Sequence, residues 1–323
     1  MRYISESDIK RISIKWHELV ESIEKALTCL NNNDFSQPVK PYLRYGNSNN
    51  RIIAMPAFVG GEIQSAGIKW IASFPNNLDK GLRRANSITI LNDPHNGIPI
   101  AVLNTPLLSI YRTVAVSGVV LKSYFHHSLK SGSSVLIIGL GPIGEHHYFY
   151  LKDTYADKIN KIFVYDISTT RMNQFLDQYS SDDRLSGCTD WQSVFEISDI
   201  VITCTVVSEP FIDIQPKRNS LHLNVSLRDY DVHTQQYFDR IIVDNWEEVC
   251  REGTYIERLN KNSTLQKNDV NLLSDIVLSN EQSQLSSDET IIFCPMGLAI
   301  FDIAISQYYL ERAKIENIGH IFE

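Results

Sequence analysis

Three glycines, Gly139, Gly141 and Gly144, follow the apolar run "SVLII" in the order G-x-G-x-x-G. Between a buried strand and a helix, that spacing builds a phosphate cradle. The first glycine permits the tight turn, the second lets backbone approach a pyrophosphate, and the third lets helix and strand pack closely. Ile143 lies within the same turn. The phosphates would meet free N–H groups at the helix N-terminus. An acid about twenty residues on binds the adenosine ribose hydroxyls in such sites. Asp166 ends the next strand-like run, "KIFVYD", 22 residues past Gly144. Its carboxylate favours NAD because it repels a 2′-phosphate, while Arg171 keeps NADP open. The alternative, a strand-ending turn without a ligand, loses ground to the placement of that acid.

A second set of residues could handle an anion. Lys69 interrupts "AGIKWIASF", Arg44 follows "KPYL", and Arg112 sits in the otherwise apolar or small stretch "SIYRTVAV". A buried arginine needs a paired anion. Three cations in one half of the chain suggest a carboxylate-bearing substrate. Lys69 could instead snorkel at a sheet edge. Asp229, in "NVSLRDYD", follows a strand whose carboxyl end would face a ligand crevice. As a plain loop aspartate it would cap a turn. The pairs His126-His127 and His146-His147 lack metal spacing. They are expected on helices, in solvent. No G-x-S-x-G elbow and no Walker lysine occurs.

These residues need elements to hold them. Apolar residues at helical spacing from Ile14 to Leu30 predict an amphipathic helix that ends at Asn31 to Asn33. From Val39 to Leu103, short β-rich runs alternate with turn residues, "NDPHNG" above all, which predicts an antiparallel or mixed sheet. "TPLLSIYRTVAVSGVVLKSYF" reads as a long helix leading into a second domain. From Ser133 the strands "SVLIIG", "KIFVYD", "DIVITCT", "SLHLNVS" and "RIIVDN" alternate with helices. That pattern predicts a Rossmann-type, doubly wound parallel sheet in an α/β protein. A last strand, a Pro/Gly break and a long helix close the chain, after a polar loop "SNEQSQLSSDE". The expected domains are residues 1–115 with 295–323, for substrate and dimerisation, and residues 116–294, for the dinucleotide.

The bulk numbers are ordinary for a soluble globular protein. The 323 residues are 43% hydrophobic and 21% charged. The formal net charge of -8, with no Lys/Arg cluster, argues against nucleic acid as a partner. Five scattered cysteines without a C-x-x-C pair suggest reduced thiols and a cytoplasmic setting. No metal spacing is evident. The polar N-terminus is unlike a signal peptide. No apolar run nears the roughly 20 residues that span a bilayer.

Taken in order, Arg44, "GIKW" with Lys69, "YRTVA" with Arg112, "GLGPIG" and "VSLRD" with Asp229 resemble the ornithine cyclodeaminase/mu-crystallin family over nearly the whole chain. "PVKPYLR", "RIIAMP", "ILNDP", "VITCTV" and "CPMGLAI" point within it to the 2,3-diaminopropionate-forming dehydrogenases of siderophore pathways such as staphyloferrin B. The resemblance implies NAD-dependent oxidation of a secondary amine that joins diaminopropionate to glutamate. It also implies a homodimer built through the N-terminal sheet. By that likeness Arg44 and Arg112 bind carboxylate, and Lys69 and Asp229 are catalytic, with Lys69 also at the substrate. Thr113, Thr205 and Ser226 fall where the family touches its cofactor. A lysine flanked by arginines should have a lowered pKa and could activate water. One departure follows Asp229: "DYDVHTQQ" lacks the Gly, Lys and Glu that cyclodeaminases carry there. That weighs against ornithine cyclisation and leaves His233 as a candidate for the distal carboxylate. An imine-reducing amino acid dehydrogenase and a non-catalytic mu-crystallin-like binding protein stay open.

Overall fold

Lys69 and its neighbours lie in a mixed eight-stranded sheet within the first of two units. A computed structural model describes residues 1–47, 50–127, 132–277, 285–286 and 288–322. One unit comprises Met1–Val116 with Gly297–Glu323, the other Ser117–Met296. The boundary falls inside the long helix Pro106–His127.

In the first unit, Arg51–Val59, Ser65–Ser73, Ala85–Asn92 and Pro99–Asn104 form an antiparallel meander. Their Val, Ile and Thr content suits a pleated surface. The "NDPHNG" turn closes where Asp93 Oδ1 accepts the His95 N–H at 2.8 Å and Gly97 takes φ +76°. Pro56 is tolerated in mid-strand for a geometric reason. Ala54 N–H donates to Pro41 O, so position 56, two residues on, faces the same side. On that side the neighbouring short strands pair only with Ile52, Ile53, Phe58 and Val59. No ladder hydrogen bond is lost.

Helix Ala299–Ile315 covers one face of this sheet, and helix Trp16–Asn31 packs against that helix. Leu19, Val20, Ile23 and Leu27 are buried there with Met55, Val59, Leu91 and Leu103. By strict alternation the opposite face carries Phe58, Ile68, Trp70, Ile88, Ile90 and Val102. Trp70 and Ile88 are paired across strands and stay 41% and 40% exposed.

The N-terminus departs from expectation. Residues Arg2–Ile4 form a strand, parallel to Pro99–Asn104 and antiparallel to His320–Ile321. A short helix Glu6–Arg11 follows, started by a capping box between Ser5 and Asp8. Ile14 therefore precedes the amphipathic helix, which begins at Trp16.

Every pairing in the second sheet is parallel. Its order runs Leu185–Gly187, Ile159–Tyr165, Ser133–Ile138, Ile200–Thr203, Leu221–Asn224, Ile291–Cys294, Arg240–Val243, Asn271–Leu272. The inner strands are wholly buried, as near-continuous apolar runs require. The order reverses at Ser133–Ile138, and the glycine turn leaves the end of that strand. This switch point is where doubly wound sheets bind ligands. The two outermost strands were not foreseen. At three and two residues they carry too little pattern. The expected polar loop 279–289 lies largely outside the described residues. Among the described residues, no helix is long and apolar enough to cross a membrane.

Candidate active site

In the first unit, Lys69 sits mid-sheet between Met55 and Thr89 and is 1% exposed. A central position rules out snorkelling at an edge. Its Nζ donates to Asp302 Oδ1 at 2.8 Å, and Arg112 Nε donates to the same oxygen at 3.1 Å. Asp302 comes from the first turn of the C-terminal helix. Lys40, also buried, donates from Nζ to the Gly297 carbonyl. Gly297 itself has φ +82°, and a Cβ there would overlap Arg112 Nη1. Glycine is thus what lets the guanidinium lie against the chain.

The electrostatics follow from this geometry. Burial lowers the Lys69 pKa to about 8; Asp302 opposes the fall, while Arg112 and Lys40 add to it. Burial alone would raise the Asp302 carboxyl, but the charges of Arg112 and Lys69 outweigh it and hold it below its ordinary value. Two cations, Lys69 and Arg112, share one carboxylate here. A buried surplus of positive charge calls for an anion. Arg44 is exposed instead, its guanidinium 5.3 Å from the centre of the Tyr42 ring, where Arg51 also lies at 5.6 Å. Thr113, beside Arg112, donates its hydroxyl to Ser109 O within its own helix at 2.8 Å. Sequence reasoning missed Asp302. Its one signal was a lone acid in the apolar run "GLAIFDIAIS".

In the second unit the glycine turn has the form its spacing predicts. Gly139 takes φ +96°, and a Cβ on it would lie 2.7 Å from Cys204 O. A Cβ on Gly144 would overlap the Gly139 carbonyl, while one on Gly141 would meet nothing within 4 Å. Helix Pro142–Thr154 starts there without a side-chain cap, which leaves its first N–H groups for an anion. Asp166 is buried. Its Oδ2 accepts the Leu140 N–H and its Oδ1 the Ser168 N–H, each at 2.9 Å, with Arg171 Nη1 at 3.4 Å. Oδ1, with one donor, keeps a lone pair for a ribose hydroxyl. Space, donors and acid all fit a dinucleotide.

The histidines need a correction. His147 is fully buried, because Gly144, His147 and Leu151 share the helix face against the sheet. Its Nδ1 bonds the Ile143 carbonyl and its Nε2 the Ser117 hydroxyl, each at 2.9 Å. Burial lowers its pKa to about 4. His146 is partly buried, and its Nδ1 lies 2.7 Å from Pro142 O. His126 is exposed as expected. The side chain of His127 lies outside the described residues.

Asp229 is 0% exposed, and both Thr205 and Ser226 donate hydroxyls to its carboxylate. Its backbone carbonyl accepts from Phe211 and Ile212, each at 2.9 Å. This is more than a turn cap. The next residue, Tyr230, bonds His222 Nδ1 at 2.8 Å, and His222 Nε2 bonds Ser220 at 2.9 Å. Burial pushes the His222 pKa down to about 3. Nothing in the sequence had marked His222. His233, by contrast, has an 85% exposed side chain beside Asp231.

Sheet order, glycine turn and buried acid together define a dinucleotide-binding protein of the Rossmann kind. The chain belongs to the ornithine cyclodeaminase/mu-crystallin family, whose profile matches residues 5–317. It is 33% identical to an N-((2S)-2-amino-2-carboxyethyl)-L-glutamate dehydrogenase of Staphylococcus aureus, over 99% of this chain and 97% of that one. It is 26% identical to an alanine dehydrogenase of Archaeoglobus fulgidus, over 95% and 93%. A Thermococcus litoralis Δ1-pyrroline-2-carboxylate reductase, solved with NADH and L-proline, superposes with a TM-score of 0.89 at 25% identity, over 100% of both chains.

Proposed function

We propose that the protein catalyses NAD-dependent oxidative hydrolysis of N-[(2S)-2-amino-2-carboxyethyl]-L-glutamate to L-2,3-diaminopropionate and 2-oxoglutarate. The buried Lys69–Asp302–Arg112 cluster carries this reading, because its surplus positive charge suits a carboxylate-rich amine. The name of the Staphylococcus relative supports the particular substrate. The first unit takes the substrate and the second takes NAD.

NAD, when bound, accepts the hydride that leaves the glutamate Cα. The secondary amine loses its proton, and the substrate becomes an imine. Water adds to the imine carbon, and the carbinolamine collapses to a primary amine and a ketone. Arg112 and Arg44 orient the carboxylates, which fixes the Cα–H. Lys69, neutral at alkaline pH, takes the proton of the attacking water. Asp229 accepts and returns a proton at the amine nitrogen. Thr113, Thr205 and Ser226 remain candidates for cofactor contact, the latter two through the carboxylate they hold. His233 is too exposed to enclose the distal carboxylate.

The protein acts as a cytoplasmic homodimer. The apolar outer face of the first sheet supports a self-complementary contact. The product would feed a siderophore such as staphyloferrin B or a peptide antibiotic. A second reading, an imine reductase or cyclodeaminase, draws on the alanine dehydrogenase and pyrroline-2-carboxylate reductase relatives.

The test is incubation of the pure protein with NAD and the conjugate, following NADH absorbance and both products by mass spectrometry. NADH with both products upholds the first reading. No NADH, but proline from ornithine or reduction of a cyclic imine, transfers the protein to the second. Silence with every amine and imine leaves the binding-protein reading.

A further inference from the structure

Asp302 is an acid without an assigned task. It sits among Phe301, Ile303, Ala304 and Ile305, all buried, and is itself 4% exposed. Stability alone does not account for it, since a buried ion pair is often no better than apolar packing of the same volume. Its carboxylate is used unevenly. Oδ1 accepts from both Lys69 Nζ and Arg112 Nε. Oδ2 is buried and has no hydrogen-bond partner among the described residues. On the cation side, Arg112 spends only Nε on protein, so among the described residues its terminal nitrogens bond no protein acceptor.

We propose that Asp302 is the positioning residue of the substrate-carboxylate site: it ties Lys69 to Arg112 through one oxygen and reserves the terminal nitrogens of Arg112 for the substrate. This rests on the reading above, in which Lys69 and Arg112 meet substrate. An arginine held at Nε presents its other two nitrogens as a fork matched to a carboxylate. A lysine held on the same oxygen feels an attraction and a repulsion at once. Asp302 favours its protonated form, while Arg112 and Lys40 oppose it. Met55 and Thr89, its partners on the flanking strands, carry no charge. Asp302 therefore keeps the proton on Lys69 until mildly alkaline pH.

The test reads Lys69 directly. Lysines labelled with 13C at Cε are titrated by NMR in the full chain, the Lys69 signal being the one lost in Lys69→Met. The wild-type midpoint should fall near pH 8. Asp302→Asn should move it down by about one unit or more, and Arg112→Met should move it up. Opposite directions are not what general loosening produces. Asp302→Glu keeps the charge on a longer arm, so it should hold the midpoint near wild type yet raise KM for the conjugate at least severalfold. If Asp302→Asn does not fold, a held midpoint with a raised KM in Asp302→Glu, beside a raised midpoint in Arg112→Met, decides. NAD binding by each variant reports that the second unit is intact. An unmoved midpoint in Asp302→Asn, or the same direction in Asp302→Asn and Arg112→Met, overturns the proposal. So does a Glu variant with a shifted midpoint or an unchanged KM. Opposed shifts in a protein that does not turn over the conjugate uphold the tie between Asp302, Lys69 and Arg112 and remove only the substrate reading. Turnover without the shifts removes only the proposal.

Discussion

A strand lysine with 1% exposure carries most of the chemistry assigned to this molecule. Lys69→Ala should leave NAD affinity unchanged while turnover of the conjugate falls by about 10²–10⁴, the usual worth of a positioned acid–base group. Equilibrium NAD binding beside a steady-state assay would check this, and normal turnover would remove Lys69 from catalysis. Asp166→Ala strips the Leu140 and Ser168 N–H groups of their acceptor as well as the ribose of its partner. NAD should then bind at least about tenfold more weakly by calorimetry, roughly 1.4 kcal/mol. Unchanged affinity would refute the ribose role. At this scale the sequence was legible where a charge interrupted an apolar run, as at Lys69 and Arg112, or followed a strand's carboxyl end, as at Asp229. Asp302 was hidden because its helix is buried nearly all round, so no polar face marked the position as unusual. Arg44 shows the opposite limit. Its charge and the family resemblance, not a pattern around it, suggested a carboxylate ligand, and its side chain is exposed over Tyr42.

The elements that hold these residues were read with uneven ease. Strands rich in Val, Ile and Thr, bounded by turn residues, declared themselves, as did the long helix through Arg112. Arg2–Ile4 did not, because three residues carry no period and their place comes from pairing with two strands far off in the sequence, Pro99–Asn104 and His320–Ile321. His147 was misjudged for a related reason. Adjacent histidines reveal that they face different ways, but not which one meets the sheet. The turn before the last helix was read only as a break. Its function is spatial, since the Arg112 guanidinium occupies the room a side chain at Gly297 would need. Gly297→Ala should displace Arg112 and strain a left-handed residue. KM for the conjugate should rise about tenfold or more, with NAD affinity kept. Equal KM values would mean that the guanidinium does not depend on this close approach.

Two properties belong to the molecule as a whole. The first is its response to acid. His147 and His222 are buried and neutral, with pKa values lowered to about 4 and about 3. Above pH 6.5 neither state of the chain protonates them, and their neutral burial costs nothing in linkage. Below it the unfolded chain takes up protons that the folded one refuses, so stability falls as pH drops from 6.5 toward 4 and beyond. His147 alone would account for about 3 kcal/mol of that loss. Urea titrations at pH 7 and pH 4.5 would show it, and Phe or Gln at both positions should flatten the slope. The second is the homodimer proposed above. Trp70→Asp, on the apolar outer face, should turn a sedimenting dimer into a monomer at micromolar concentration. A variant that still sediments as the dimer would move the contact elsewhere. The same sheet ends at His320–Ile321 on one side and in the short strands Phe35–Ser36 and Tyr42–Leu43 on the other. Two residues of open backbone make a poor template for another strand. A copy that has lost its mate can therefore recruit others only through a broad, slippery surface, and not by zipping hydrogen bonds. Its misassembly should be clumping that dilution reverses, with little tendency to seed ordered fibres.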